Sequence, residues 1–138
     1  MKRPAILTLL GAGLLISSCS SPVDPAVTAR LQQEADAFNR QSNAVTPSGI
    51  RIDSASASGA RLRFNFTLIN NGKADFDSTI FAQRARLDVL GSLQTGGNAA
   101  FFRDHNVRIT YTYYDREGKL VSAIEILPGD YEAVPGAS

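Results

Sequence analysis

Between residues 61 and 68 apolar and polar side chains alternate without a break. Leu62, Phe64, Phe66 and Leu68 fall on one row, and Arg61, Arg63, Asn65 and Thr67 on the other. A period of two held over eight residues predicts a half-buried strand. The same alternation returns at 107–114, where Val107, Ile109, Tyr111 and Tyr113 oppose Arg108, Thr110, Thr112 and Tyr114. A shorter version, Ile50-Arg51-Ile52-Asp53, predicts a strand before the first, with the small residues of 54–59 as the turn between them. A fourth strand is expected at 120–127, joined to the third by the tight loop 115–119, in which Gly118 can take a positive φ.

Elsewhere the period lengthens to between three and four. Asp24-Pro25 has the form of a helix start, with Asp as N-cap and Pro at the first helical position. Val27, Leu31, Ala35 and Phe38 then form one narrow apolar stripe, and the Asn, Pro and Gly residues of 43–49 break it. A second helix is expected over 76–93, capped by Asp75 or Asp77, with its stripe on Phe76, Ile80, Leu87 and Leu90, broadened by Val89 and Leu93. Gly91 weakens that helix and Gly96-Gly97 end it. Residues 99–104 add a further turn that brings Phe101 and Phe102 inward. Pro128-Gly129-Asp130 stops the last strand, and 132–138 is expected to be a flexible tail. The order α-β-β-α-β-β predicts an α+β fold: a two-layer sandwich in which helices cover one face of an antiparallel sheet of about four strands. One domain spanning 24–131 accommodates all of it.

The N-terminus follows a different rule. Lys2 and Arg3 precede an apolar run from Ala5 to Ile16, which is followed by small residues, the layout of a secretory signal peptide over 1–18. The run is too short for the roughly 20 residues of a spanning helix. Ile16, Ser17, Ser18 and Cys19, the only cysteine, resemble the lipobox of bacterial lipoproteins. The alternative, an ordinary cleaved signal beside an incidental cysteine, fits less well with the bulky Ile16 three residues before the cut. The resemblance implies that Cys19 takes a diacylglyceryl group, becomes the mature N-terminus and is acylated there. The protein's membrane partner would then be reached through covalent lipid, with 19–23 as a short tether. Ser20 lacks the acidic character of an inner-membrane retention signal, so the resemblance implies outer-membrane delivery.

Charge and composition narrow the functional classes. Taking Lys2 and Arg3 from the fourteen basic residues leaves twelve against thirteen acidic ones, a mature net charge of −1. That balance excludes the basic excess of a nucleic-acid binder and contains no polybasic run for anionic lipid. With Cys19 acylated no thiol is left for a disulfide. A single histidine, His105, without clustered carboxylates does not make a zinc site, and no Gly-x-Ser-x-Gly elbow is present. Asp75, Asp77 and Ser78 read as helix-capping chemistry, and Asp115 and Glu117 as turn chemistry. No catalytic residue, metal or cofactor is therefore expected.

Two surfaces remain as candidates. Phe64, Phe66, Tyr111 and Tyr113 on the inward rows build a core, or line a small apolar pocket between sheet and helices. Strand alternation puts Arg51, Arg61, Arg63, Arg108 and Tyr114 on the opposite, open face, a candidate docking surface for an acidic partner. The reading is a lipid-anchored, non-enzymatic envelope protein that binds another protein as an accessory or assembly factor on the periplasmic side of the outer membrane. A carrier of a small apolar ligand is the alternative, and a cell-envelope hydrolase a weaker one.

Overall fold

The computed structural model describes residues 21–131. The signal peptide, the lipobox residues Ile16, Ser17, Ser18 and Cys19, and the tail 132–138 lie outside the described residues. Helix α1 (Pro25–Asn39) starts where Asp24 accepts the amide hydrogen of Ala26 at 2.8 Å, and it buries Val27, Leu31 and Ala35. Strands β1 (Ile50–Ser58) and β2 (Arg61–Leu68) follow. A 3₁₀ turn (Lys73–Asp75) then leads into α2 (Ser78–Thr95), α3 (Ala99–Asp104), β3 (Arg108–Asp115) and β4 (Leu120–Ile126). A closing 3₁₀ turn (Pro128–Tyr131) buries Tyr131, whose hydroxyl donates to the Val107 carbonyl at 3.1 Å.

The sheet order is β1-β2-β3-β4. The α+β class and the α-β-β-α-β-β order stand, with α3 as the added turn. The sheet is mixed, however, rather than antiparallel throughout. The two hairpins are antiparallel, but β2 and β3 run parallel, Arg61 opposite Arg108 and Leu68 opposite Asp115. The cause is the connection between them. A hairpin turn reverses the chain, whereas a helical crossover carries it back so that the next strand starts from the same end. Here α2 and α3 form that crossover, and the Arg108 amide closes it on the Ala60 carbonyl at 2.9 Å.

The first hairpin also differs from expectation. Residues 54–58 continue β1, and the reversal is confined to Gly59, at φ +56°, and Ala60. Asp53 is the extra residue of a β-bulge between Ile52 and Ser54, which keeps Ala55 and Ala57 pointing inward after an irregular start. The stripe of α2 is rotated from the expected one. Ala85 and Val89 are buried, whereas Ile80 is 50% and Leu87 70% exposed. Phe64 and Phe66 do point inward, but they are only half-buried, covered by Phe38 at ring separations of 4.7 and 5.5 Å. The completely enclosed core is aliphatic: Leu31, Val107, Ile109 and Ile126 have no exposed surface.

Candidate functional site

All the helices lie on the inward face of the sheet, but they do not close over it. α1 packs on β1 and β2 and α2 packs beside β4, and the two helices scarcely touch. The two helices leave a gap, and at the end of the sheet where Ile50 pairs with Leu68 an apolar groove of about 550 Å³ lies between α2 and the sheet, with no α1 residue in its lining. Ile50, Leu68 and Tyr113, inward positions of three neighbouring strands, make its floor, and Ile80 and Phe81 of α2 make one wall. The wall is fixed locally. Asp77 caps α2 by accepting the amide hydrogens of Thr79 and Ile80 at 2.8 and 3.1 Å. Phe76, just outside the helix in an extended conformation, folds back onto Phe81 at 5.5 Å, and Phe81 stands edge-on to Tyr113 at 5.1 Å.

Charges ring this apolar surface: Asp77, Arg84 and Asp88, two carboxylates to one guanidinium. Burial pushes the Tyr113 hydroxyl up to about 12, and the negative charge of Asp88 adds to the shift. Tyr111 is driven above the ordinary phenol range by burial first and by Tyr113 second. Both phenols thus stay neutral and serve as apolar surface with a polar tip. A second, smaller depression of about 210 Å³ opens farther along the gap, over Phe64 and Tyr111. Of the inward aromatic rows, Tyr113 lines the groove, whereas Phe64 and Tyr111 line the smaller depression. The α2 wall of the groove was not legible. The available signal was that α2 carries more apolar positions than one helical face can bury on a sheet of four strands.

The opposite face of the sheet carries the arginines, and the structure divides them. Arg51 and Tyr114 lie in one cross-strand row with Thr67 between them. There Arg51 is neutralised: its Nε donates to Asp53 at 2.7 Å and its terminal nitrogen to Thr67 at 3.1 Å, while Thr67 donates to Asp53 at 2.7 Å. Arg61, Arg63 and Arg108 gather at the other end, around a depression of about 400 Å³ that also exposes Ser56, Ser58 and Thr110. Among the described residues the one carboxylate near this trio is Glu125, 4.0 Å from Arg108.

The remaining polar candidates have structural roles or exposed positions. Asp115 has no exposed surface, screened by its own turn and the neighbouring loop. It accepts the amide hydrogens of Glu117 and Lys119, both at 2.8 Å, and of Lys73 at 3.0 Å, which ties the β3–β4 hairpin to the 3₁₀ turn before α2. Burial alone would raise its pKa; the amide donors from Lys119, Lys73 and Glu117 outweigh that and hold it below the ordinary carboxylate value. His105 is exposed at the end of α3, its ring 4.5 Å from that of Phe101. No group of three His, Cys, Asp or Glu side chains is placed to hold a metal among the described residues.

No protein-family model matches the chain, and no curated protein matches it in sequence. Solved structures do match in fold. A candidate secreted protein from Pseudomonas aeruginosa superposes with a TM-score of 0.63 at 10% identity, covering 78% of this chain and 94% of its own. The type II secretion system pilotin AspS from Vibrio cholerae gives 0.57 at 10% identity, over 76% of this chain and 92% of its own. The type II secretion system pilotin EpsS from Vibrio vulnificus gives 0.56 at 6% identity, over 80% and 100%. At these identities the likeness is one of architecture: the mixed four-stranded sheet with helices on one face is a fold that secretion pilotins use.

Proposed function

We propose that the protein is a lipid-anchored, non-enzymatic accessory factor of the bacterial envelope, held by acylated Cys19 in the outer membrane, which captures an apolar segment of a protein partner in the groove between α2 and the sheet. The observation that carries this reading is the α2 wall. Ile80 stands half exposed beside Phe81 over an apolar floor, with Asp77, Arg84 and Asp88 at the rim. An exposed apolar surface rimmed by charge is what a protein interface offers before its partner arrives. The two carboxylates favour a segment that carries basic residues beside its apolar ones. The pilotin fold of two neighbours supports placing such a factor in a secretion or assembly apparatus.

The competing reading is a carrier of a small apolar ligand, since about 550 Å³ suits a drug-sized molecule. Against it, half of Ile80 is open to solvent, whereas a carrier encloses its cargo. The test is a photo-crosslinking amino acid at position 80 in intact cells, with exposed position 100 as control. A discrete adduct with an envelope protein from position 80 alone supports partner capture. Adducts with lipid alone, together with a lipid that copurifies stoichiometrically, overturn it in favour of a carrier.

A further inference from the structure

We propose that Arg61, Arg63 and Arg108 form a membrane-facing seat, which sets the domain against the anionic phosphates of the leaflet that holds the Cys19 anchor. The inference rests on the lipid-anchor reading and goes beyond it, because it assigns the anchored domain an orientation. Three observations carry it.

The first is the clustering itself. Arg61 and Arg63 flank Leu62 on one strand and Arg108 lies on another, distant in sequence, yet the parallel register puts Arg61 beside Arg108 and sets Arg63 next to Thr110. Like charges side by side on a sheet are unfavourable unless something outside offsets them. Guanidinium groups with neighbouring hydroxyls, here Ser56, Ser58 and Thr110, suit phosphate oxygens, which they engage in bidentate hydrogen bonds.

The second is that this charge is only partly offset. Glu125 stands 4.0 Å from Arg108, and among the described residues no ion pair holds Arg61 or Arg63, whereas other charges at the same end are matched. Asp24 caps α1, Asp104 pairs with Arg103 at 3.1 Å, and Asp130 pairs with Arg86 at 3.0 Å. Arg51, which does have a carboxylate partner, is at the far end of the sheet. The trio is therefore a local positive site on a chain whose mature net charge is −1.

The third is position. A Cβ built on Gly59 would touch Val23 at 3.7 Å, so the chain entering α1 runs against the turn that leads into Arg61. Cys19 is four residues before Val23, and four residues span at most about 14 Å. The acyl chains thus enter the bilayer within a short tether of the trio. Three arginines are too few to recruit a free protein to a membrane, but the anchor already supplies the affinity and holds the phosphates at high local concentration. What the trio adds is direction. The apolar groove opens at the Ile50–Leu68 end of the same strands, roughly 20 Å from Arg61 at the usual rise per residue, and so faces away from the membrane toward a partner. An acidic protein could engage the same guanidinium groups, but proximity to the anchor favours lipid.

The test uses acylated full-length protein purified from membranes. Once Cys19 is modified, Ala26→Cys, at the exposed start of α1, provides the single free thiol for a dye near the seat but outside it. Energy transfer to headgroup-labelled lipid is measured in vesicles of phosphatidylcholine alone and of phosphatidylcholine with about one-third phosphatidylglycerol. Transfer should be higher on the anionic vesicles. It should fall to the neutral-vesicle level in high salt and in the Arg61→Gln, Arg63→Gln, Arg108→Gln variant, while flotation with vesicles is unchanged. The corresponding triple Glu variant should lie below that level, and circular dichroism shows that each variant is folded. Normal acylation with equal transfer on both vesicle types overturns the seat and leaves the anchor intact. Absence of acyl mass on Cys19 overturns the anchor and the seat together. Unchanged transfer in the Gln variant, with loss of a crosslinked acidic envelope protein, reassigns the trio to protein docking.

Discussion

Asn39, the last residue of α1, grips the backbone of Ala55 with both ends of its carboxamide. Its Nδ2 donates to the Ala55 carbonyl at 3.0 Å, and its Oδ1 accepts the Ala55 amide hydrogen at 2.7 Å. β1 is an edge strand, and this pair of bonds supplies at Ala55 what a neighbouring strand would have supplied. Asn39→Ala leaves two backbone groups of a buried residue unsatisfied and should cost about 2 kcal/mol. Urea denaturation should show a lower midpoint with an unchanged slope, and Asn39→Asp should be no better, since a carboxylate cannot donate to the carbonyl.

The half-open aromatic row makes an unusual ranking of core substitutions. Leu31 has no exposed surface, so Leu31→Ala should cost about 3 to 4 kcal/mol. Phe64 is larger but only half-buried under Phe38, so Phe64→Ala should cost about 2 kcal/mol. Denaturation of the two variants side by side checks the order. A larger loss for Phe64 than for Leu31 would mean that the helix layer closes over the sheet.

Stability should fall at both pH extremes, for opposite reasons. The folded Asp115 pKa lies below its usual 3.8, so its contribution is complete above about pH 4 and is lost as pH falls through the folded value. Asp115→Asn should therefore be less stable than the wild type at neutral pH, with the gap narrowing in acid. Tyr113 ionises near 10 when unfolded and about 12 when folded, so its contribution is complete below pH 10 and disappears as pH rises through 12. Tyr113→Phe should flatten the alkaline limb of the stability curve, while thermal melts across pH should show the acid limb unchanged.

Cys19→Ala should abolish acylation, and the protein should leave the membrane fraction or accumulate as an unprocessed precursor. Mass spectrometry and fractionation check both points. Wild-type processing and membrane retention in this variant would remove the basis for the lipid anchor.

Local pattern and tertiary structure determined different parts of this protein. Elements whose spacing is set by their own residues were legible from the chain. Strict alternation at 61–68 and 107–114 yields β2 and β3, because a period of two can place one row inward only in a strand. Asp24-Pro25 starts α1, and Asp77 rather than Asp75 caps α2, because side-chain oxygens bond to nearby backbone amides. The outward direction of all four sheet arginines follows from the same alternation.

What required the fold was every relation between distant segments. The parallel pairing of β2 with β3 depends on the path of the α2–α3 crossover, which no local pattern encodes. That pairing brings Arg61 and Arg63 beside Arg108, whereas Arg51 sits at the other end of the sheet, paired with Asp53 two residues along its own strand. The period of α2 gave a helix, but which stripe it buries depends on where the crossover lays it against β4, so Ala85 and Val89 are covered and Ile80 is left to wall a groove. Alternation and capping act over a few residues and are written in neighbours; register, helix rotation and charge clustering arise from contacts between segments tens of residues apart, and only the packed chain decides them.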